Sequence, residues 1–332
     1  MKSMRENNHA YFPPEYALFL TAGSIYRSIL LVSFIFSERR KTMSSYRLVT
    51  DATADLDPHL YEGLPEVVII PMDVMVGEES YLYGPGGNLN LKTFYAKLRE
   101  GQFASTSQIV PDRFFATFRP LLEEGLDILY LGLTSGLSGT FENACFVRDQ
   151  LQEEYPDRKI ICIDPFCAAA GMGFLFRCAL KKQAEGMDLD ALSGWILEHR
   201  LHLCHYFTVD TFDHLKHGGR VSAASAAIGS MLHIKPLLTV DDEGKLEVIG
   251  KPRGRKQAIQ VKLKHMEESL DRSYGNDILV AHGDCEEEAK AFAEQILEKF
   301  PDLNILMTTI GPVIGSHTGP GMLAVLYWGS RH

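Results

Sequence analysis

Hydroxyl and glycine residues are concentrated in Thr134-Ser-Gly-Leu-Ser-Gly-Thr140, between a predicted strand and a predicted helix. Gly136 and Gly139 allow the backbone to turn tightly and to approach a ligand. The first turn of the following helix has unpaired N–H groups and the positive end of the helix dipole. We therefore predict that this segment binds a carboxylate or phosphate, with an ordinary capped helix as the alternative interpretation.

Two catalytic motifs fail in this segment. The Gly-Lys-Ser/Thr ending of a Walker loop is absent, and Thr140 stands where a nucleophile elbow requires its second glycine. A serine-dependent acyl hydrolase that uses Ser135 or Ser138 with His317 stays open as an alternative. The sequence contains no evident acidic partner for His317, as a catalytic triad requires.

Two further polar segments have the right chemistry for an anion. Ser105-Thr-Ser-Gln108 precedes a helix predicted to begin near Pro111, so its side chains either bind a ligand or cap the helix. Residues 311–321 contain four glycines and two prolines around His317. We predict an irregular backbone there, with a histidine that either faces a ligand or is inert.

Basic residues form two candidate contacts for a phosphate or a partner protein. Arg220 follows a predicted helix end, and Arg253 and Arg255 lie in the dense basic segment Lys251-Pro-Arg-Gly-Arg-Lys256. Guanidinium groups suit such partners because they donate two parallel hydrogen bonds. A solvated loop or helix start is the alternative interpretation for both places.

Histidine and cysteine are also grouped at His199, His202, Cys204 and His205, which are ligand types for transition metals. The segment crosses from a predicted helix into a strand, which scatters the side chains. We therefore predict no metal site.

Alternating strand and helix patterns position these residues. From Tyr46 onward this alternation is typical of a mostly parallel sheet covered by helices. The predicted strands are residues 46–51, 67–76, 128–133 and 159–164, and the predicted helices are 91–101, 112–125, 141–155, 168–186 and 189–200.

A second α/β domain with antiparallel pairing is predicted from about Phe207. Residues 236–240 and 245–250 flank Asp-Asp-Glu-Gly, which is typical of a β-hairpin. Helix 256–270, strand 277–282, helix 286–300, strand 304–310 and strand 322–328 follow. The predicted domains are therefore residues 46–206 and 207–330.

Composition excludes several classes of protein. The 332 residues are 45% hydrophobic with a net charge of −10, which disfavours nucleic-acid binding. Six cysteines without a C-x-x-C pair form neither a disulfide framework nor a zinc finger, so a reducing cytoplasm fits best.

Residues 1–45 are predicted to be an extension outside the fold. An interfacial or anchoring helix, or a docked structural helix, stays open because residues 16–36 are largely apolar despite Arg27.

Five segments in order resemble the motif series of the DegV family, which supplies the fatty-acid-binding subunit of the bacterial fatty acid kinase. The resemblance covers nearly everything from Tyr46 to Trp328. The segments are Thr50-Asp-Ala-Thr-Ala-Asp-Leu56, Thr106-Ser-Gln108, Thr134-Ser-Gly-Leu-Ser-Gly-Thr140, Leu215-Lys-His-Gly-Gly-Arg-Val-Ser222 and Gly311-Pro-Val-Ile-Gly-Ser-His-Thr-Gly-Pro-Gly321.

The resemblance implies a two-domain α/β fold of the DegV (EDD-like) type that holds a long-chain fatty acid in an apolar tunnel. It implies that Thr106 and Ser135 hydrogen-bond the carboxylate, that His317 assists directly or through water, and that Ser138 and the Gly136 backbone contribute.

The resemblance also implies a kinase partner that phosphorylates the bound carboxylate, so that this chain is a substrate-presenting subunit and not itself an enzyme. No ATP site, cofactor or metal is expected in the chain, and membrane contact is expected to be transient. Arg220, Arg253 and Arg255 would contact the partner or the phosphate. A sensor of another apolar acid would use the same pocket chemistry and stays open.

Overall fold

The computed structural model describes residues 46–221 and 233–331. The predicted N-terminal extension and Ser222 of the fourth motif lie outside these described residues. The strands are β1 (Tyr46–Asp51), β2 (Val67–Ile70), β3 (Met72–Val76), β4 (Glu79–Tyr83), β5 (Ala104–Thr106), β6 (Asp127–Leu131), β7 (Ile160–Ile163), β8 (Leu203–Thr208), β9 (Leu237–Val240), β10 (Leu246–Gly250), β11 (Asp277–His282), β12 (Asn304–Thr309) and β13 (Leu323–Trp328).

The helices connect these strands and cover both faces of the main sheets. They are α1 (Leu91–Arg99), α2 (Pro111–Glu123), α3 (Thr140–Glu154), α4 (Ala169–Ala184), α5 (Leu189–His199), α6 (Asp213–His217), α7 (Gly254–Ser269), α8 (Glu286–Lys299) and α9 (Pro312–Thr318). The alternation of strand and helix predicted from the sequence is therefore confirmed.

The first sheet is parallel, with strand order β2-β1-β6-β7. Alternate residues of β1 enter different cores: Leu48 packs with α4 and α5, whereas Val49 packs with α2 and α3. Both side chains are fully buried. A parallel sheet covered on both faces needs such continuous apolar strands.

The predicted strand over residues 67–76 is wrong as a single element. Pro71 divides it into β2, which joins the parallel sheet, and β3, which pairs antiparallel with β4 and β5. Proline has no N–H to donate, so the chain leaves one sheet and enters another there. The three-stranded sheet β4-β3-β5 then carries Thr106 at the end of β5.

The second large sheet has strand order β10-β9-β8-β13-β11-β12 and is mostly antiparallel. Its predicted hairpin is confirmed: β9 and β10 pair antiparallel, and Gly244 adopts φ +76° in the turn. Helices α7 and α8 pack on one face, and α4 packs on the other. Because α4 also packs against residues 52–54, it lies between the two sheets and completes one shared core.

The irregular backbone predicted for residues 311–321 is wrong for residues 312–318, because Pro312 begins the helix α9. Proline is favoured in the first turn of a helix, where its missing N–H is not needed. Gly319, at φ +72°, then ends the helix. The described residues all belong to one compact unit, Ser45–His332, and the division near Phe207 stays a prediction.

Candidate functional site

A cavity lies between α4, α9, β8, β13 and the β9–β10 hairpin, and we call it the central cavity. Its empty space, counted together with the open solvent at its mouth, is about 880 Å³. The wall is mostly apolar and also contains Thr106, Gln108, Ser138, His205, Arg220 and His317. The apolar lining includes Leu133, Leu137, Ala170, Phe207, Leu215, Val240, Leu246, Ile310, Val313, Met322, Ala324 and Leu326.

Thr106 and His317 meet in this wall, although 211 positions separate them in the chain. The Thr106 Oγ1 and His317 Nε2 atoms are 2.8 Å apart. Strand β5 places the threonine by pairing with Val74 of β3, and α9 places the histidine in its last turn. A Cβ atom at Gly218 would lie 2.1 Å from His317 Nδ1, so glycine is needed there for the ring to fit.

The surroundings keep the His317 ring neutral. Burial is the main reason that its pKa falls to about 4, and charge on Arg220, His217 and His214 lowers the pKa further. The Nδ1 atom is buried without a hydrogen-bond partner. An anion bound beside the ring would act in the opposite direction and raise this pKa.

Arg220 brings positive charge to the same wall. Its Nε atom donates to the Leu137 carbonyl oxygen at 3.2 Å, and its Nη1 atom donates to the Gly218 carbonyl oxygen. These bonds join the end of α6 to the turn before α3. The central cavity therefore combines a partly buried cation, a neutral histidine and a hydroxyl group.

The serines of the 134–140 segment have different environments. Ser138 lines the central cavity, and its Oγ atom is 3.0 Å from Thr140 Oγ1. Ser135 lies beside the cavity wall rather than in it, and its N–H donates to Asp164 Oδ2 at 3.0 Å. A direct contact between Ser135 and a ligand stays a prediction.

Gly136 serves packing in this structure. Its N–H donates to Thr134 Oγ1 at 3.2 Å and is not in the cavity wall. A Cβ atom there would lie 2.7 Å from the Gly244 carbonyl oxygen. The glycine therefore lets the hairpin turn approach, and the geometry gives no support to a ligand role for its backbone.

The two arginines of the basic segment lie apart from the central cavity. The Arg255 Nε and Nη2 atoms donate to the two Glu288 carboxylate oxygens at 2.7 and 2.6 Å, and Nη1 donates to the Gly321 carbonyl oxygen. Arg255 thus joins α7 to α8. Arg253 is exposed, and contact of either arginine with a partner stays a prediction.

The candidate metal ligands of β8 and its approach point in different directions. His199 Nδ1 is 2.7 Å from the Trp195 carbonyl oxygen, Cys204 Sγ is 3.4 Å from that of Ser330, and His205 lines the central cavity. Among residues 46–221 and 233–331, no three His, Cys, Asp or Glu side chains are grouped to hold a metal ion.

The comparisons with known proteins agree with these features. A sequence profile described as "Uncharacterised protein, DegV family" matches residues 45–329. The chain belongs to the DegV family. A DegV domain-containing protein of Clostridium perfringens is 40% identical over 287 residues, covering 86% of this chain and 98% of the relative. A Lactococcus lactis DegV domain-containing protein is 34% identical over 281 residues, covering 85% and 96%.

Solved structures share the fold of this DegV protein. One described as fatty acid binding of a DegV family protein from Thermus thermophilus has a TM-score of 0.74 and 30% identity, covering 86% of this chain and 99% of that chain. A fatty acid binding DegV family protein from Streptococcus agalactiae has a TM-score of 0.75 and 28% identity, covering 87% and 100%. A stearic acid-binding protein from Eubacterium ventriosum has a TM-score of 0.75 and 25% identity, covering 85% and 98%. The predicted family and fold class are confirmed.

Sequence reasoning missed His205 as a wall residue of the DegV site. It assigned that residue only to a rejected metal cluster. Periodicity within β8 places His205 on the same face as Leu203 and Phe207, and this was the available signal. The apolar lining had no distinguishing signal, because ordinary core residues have the same composition.

In the described part of the chain, no helix combines the length and apolarity that a membrane span requires.

Proposed function

We propose that this DegV protein binds one long-chain fatty acid in the central cavity, with the carboxylate beside Thr106, His317 and Arg220. The observation that supports this proposal is an apolar cavity whose wall contains a hydroxyl–imidazole pair next to a guanidinium group. The Thermus, Streptococcus and Eubacterium relatives are named for fatty acid or stearic acid binding.

The aliphatic chain supplies most of the affinity in this proposal. Burial of a methylene group contributes about 0.8 kcal/mol, so a chain of roughly 16 carbons contributes on the order of 10 kcal/mol. A hydrogen bond to a charged group contributes about 1.5–3 kcal/mol. The polar residues therefore set the direction and depth of the acid more than they set its affinity.

The bound carboxylate would be the substrate of a separate kinase subunit. In that step the γ-phosphoryl group of ATP is transferred to a carboxylate oxygen, which gives an acyl phosphate and ADP. This chain would hold the acid and leave nucleotide binding to the partner. The family resemblance of the five motifs supports this role.

The hydrolase alternative has less support. His317 Nε2 contacts the hydroxyl of Thr106, and the Ser138 hydroxyl contacts Thr140. No contact between a serine hydroxyl and His317 is present within the described residues, as a serine–histidine catalytic pair requires. A non-enzymatic role in presenting lipid is the function that we propose.

Binding is tested by titrating delipidated protein with octadecanoic acid. We expect saturable binding with one site, and about tenfold weaker binding for Thr106→Val, because the change removes a hydroxyl at nearly constant volume. Ser105→Ala is the matched control, since Ser105 is exposed on the opposite face of β5. Absence of saturable binding by the unsubstituted protein would refute the proposal.

Presentation is tested with the same protein, ATP and a fatty acid kinase subunit. We expect the double variant Thr106→Ala, Ser135→Ala to lose more acyl-phosphate formation than lipid retention. Equal losses would contradict the separate roles of head and tail. Ester hydrolysis that Ser135→Ala abolishes would support the hydrolase instead.

A further inference from the structure

His205 is a polar residue in an otherwise apolar part of the central cavity. It is 3% exposed, and neither ring nitrogen has a hydrogen-bond partner. Its ring packs against Gly171 of α4, where a Cβ atom would lie 2.0 Å from Nε2. His205, on β8, pairs with Leu326 of β13, and Leu326 also lines the cavity.

An unpartnered buried imidazole is costly for the folded protein. Leaving a buried donor or acceptor unsatisfied costs roughly 1–3 kcal/mol, and such groups are rare in native structures. Phenylalanine or leucine would fill this position in an apolar tunnel without that cost. The methylene groups of a plain fatty acid have no atom that pairs with the ring.

The ring is uncharged, which defines the partner that it needs. Burial is the main reason that the pKa of His205 falls well below its usual range, and the Arg331 charge lowers it further. The Leu203 backbone, which is outside hydrogen-bonding geometry, has the opposite effect on this pKa. A neutral imidazole has one N–H donor and one nitrogen acceptor. A hydroxyl group can pair with either atom, because it is both a donor and an acceptor.

The position of His205 in the fold separates it from the carboxylate site. Helix α9, which carries His317, leads into β13, and Leu323 at the start of β13 pairs with Thr208. His205 precedes Thr208 by three residues of β8, which is roughly 10 Å along the strand. A partner for His205 therefore lies well along the acyl chain.

We propose that the central cavity selects fatty acids with a hydroxyl group in the middle of the chain, and that His205 hydrogen-bonds this hydroxyl. This inference rests on the proposed function, because it names the acyl class that the same cavity takes. His205 is then a specificity-determining residue, whereas Thr106 and His317 recognise the carboxylate that all fatty acids share.

The test compares octadecanoic acid with its 3-, 10- and 17-hydroxy derivatives on the delipidated full chain. We expect 10-hydroxyoctadecanoic acid to bind at least as tightly as octadecanoic acid. We expect the 17-hydroxy acid to bind about tenfold more weakly, because its hydroxyl group is buried without a partner. The 3-hydroxy acid is the comparison for a hydroxyl group beside the polar carboxylate site. Equal weakening by the 10- and 17-hydroxyl groups would overturn the inference.

Substitution of the histidine supplies the second arm. His205→Leu should reduce the ratio of 10-hydroxy acid to octadecanoic acid affinity at least tenfold. Phe207→Leu is the matched control, since Phe207 lies on the same strand face, lines the same cavity and has no polar atom. That control should change both affinities alike. A preference for the 10-hydroxy acid that survives His205→Leu would also overturn the inference.

A spectroscopic readout covers the case in which the variant does not fold. The ¹⁵N resonances of the His205 ring in the unsubstituted protein should shift on adding the 10-hydroxy acid and stay unchanged with octadecanoic acid. Identical spectra with both acids count against the inference. Failure of octadecanoic acid itself to bind would instead refute the proposed function, so the two failures are distinguishable.

Discussion

At the scale of single residues, His317 combines a contact to Thr106 with a buried, unpartnered Nδ1 atom. Arg220 lies close enough to help to keep the ring neutral. A neutral ring can hydrogen-bond a carboxylate through its N–H group. The same electrostatics make the empty site sensitive to acid.

The free energy of unfolding of the delipidated protein should fall between pH 7 and pH 5. An unfolded chain protonates His317 near pH 6.5, whereas the folded chain protonates it near 4, so acid stabilises the unfolded state first. Between pH 7 and pH 5, protonation of this residue should lower the free energy of unfolding by about 2 kcal/mol. His317→Gln should remove that part of the pH dependence in urea unfolding curves.

Ser105→Ala is the control, because it changes an exposed side chain that does not titrate in this pH range. It should leave the pH dependence of the unfolding free energy unchanged. Parallel unfolding curves for His317→Gln and the unsubstituted protein would contradict the assigned environment of His317.

Several site residues were predictable because glycines and hydroxyls marked the segments that carry them. Thr106, Ser138, Arg220 and His317 all line one cavity. The exact set was not predictable from type alone: Ser135 and Ser138 occupy similar sequence contexts, and backbone packing around Gly136 decides which one faces the cavity. That packing comes from the hairpin turn, more than 100 residues later.

At the scale of elements, α4 determines how closely the two large sheets approach. Its glycines lie where neighbours come closest: a Cβ atom at Gly173 would be 2.1 Å from the Ala54 carbonyl oxygen. A backbone atom cannot move aside as a flexible side chain can. Glycine is therefore required in a helix that would otherwise favour alanine.

Gly173→Ala should destabilise the protein by at least about 2 kcal/mol in denaturant unfolding, because overpacking forces backbone shifts. Gly194→Ala in α5 is the matched control, since Gly194 is exposed in a helix and a Cβ atom there meets nothing within 4 Å. That control should be neutral or stabilising by about 0.5–1 kcal/mol. Equal effects of the two substitutions would contradict the packing of α4.

Periodicity predicted most of the strands and helices but not β4, β5 and α9. The apolar strands β1 and β11 have the bounds expected from the sequence. Strands β4 and β5 are short and partly exposed, so their sequences lack a clear apolar pattern. Helix α9 was hidden by its glycines, which here allow close contact: a Cβ atom at Gly315 would lie 2.8 Å from the Tyr95 hydroxyl.

At the scale of the whole molecule, the central cavity is lined by the six-stranded sheet, by the three-stranded sheet and by the shared helix α4. A ligand that fills it would contact elements that otherwise touch only in part. Its binding free energy would therefore add to the stability of the entire fold.

Octadecanoic acid at about 100 times its dissociation constant should stabilise the delipidated protein by roughly 2.7 kcal/mol. For a chain of this size that corresponds to a rise in Tm of several degrees in calorimetry. Octanoic acid at the same absolute concentration is the control, and it should have little effect because it buries fewer methylene groups. A Tm independent of acyl length would contradict binding through the apolar wall.

The pairing of Thr106 with His317 also has a consequence for timing. The ribosome adds Thr106 to the chain long before it adds His317, which comes 211 positions later. Strand β13 is synthesised later still. The acid site that we propose can therefore form only after synthesis has passed β13. A fatty acid that uses this site would be bound only by the completed chain.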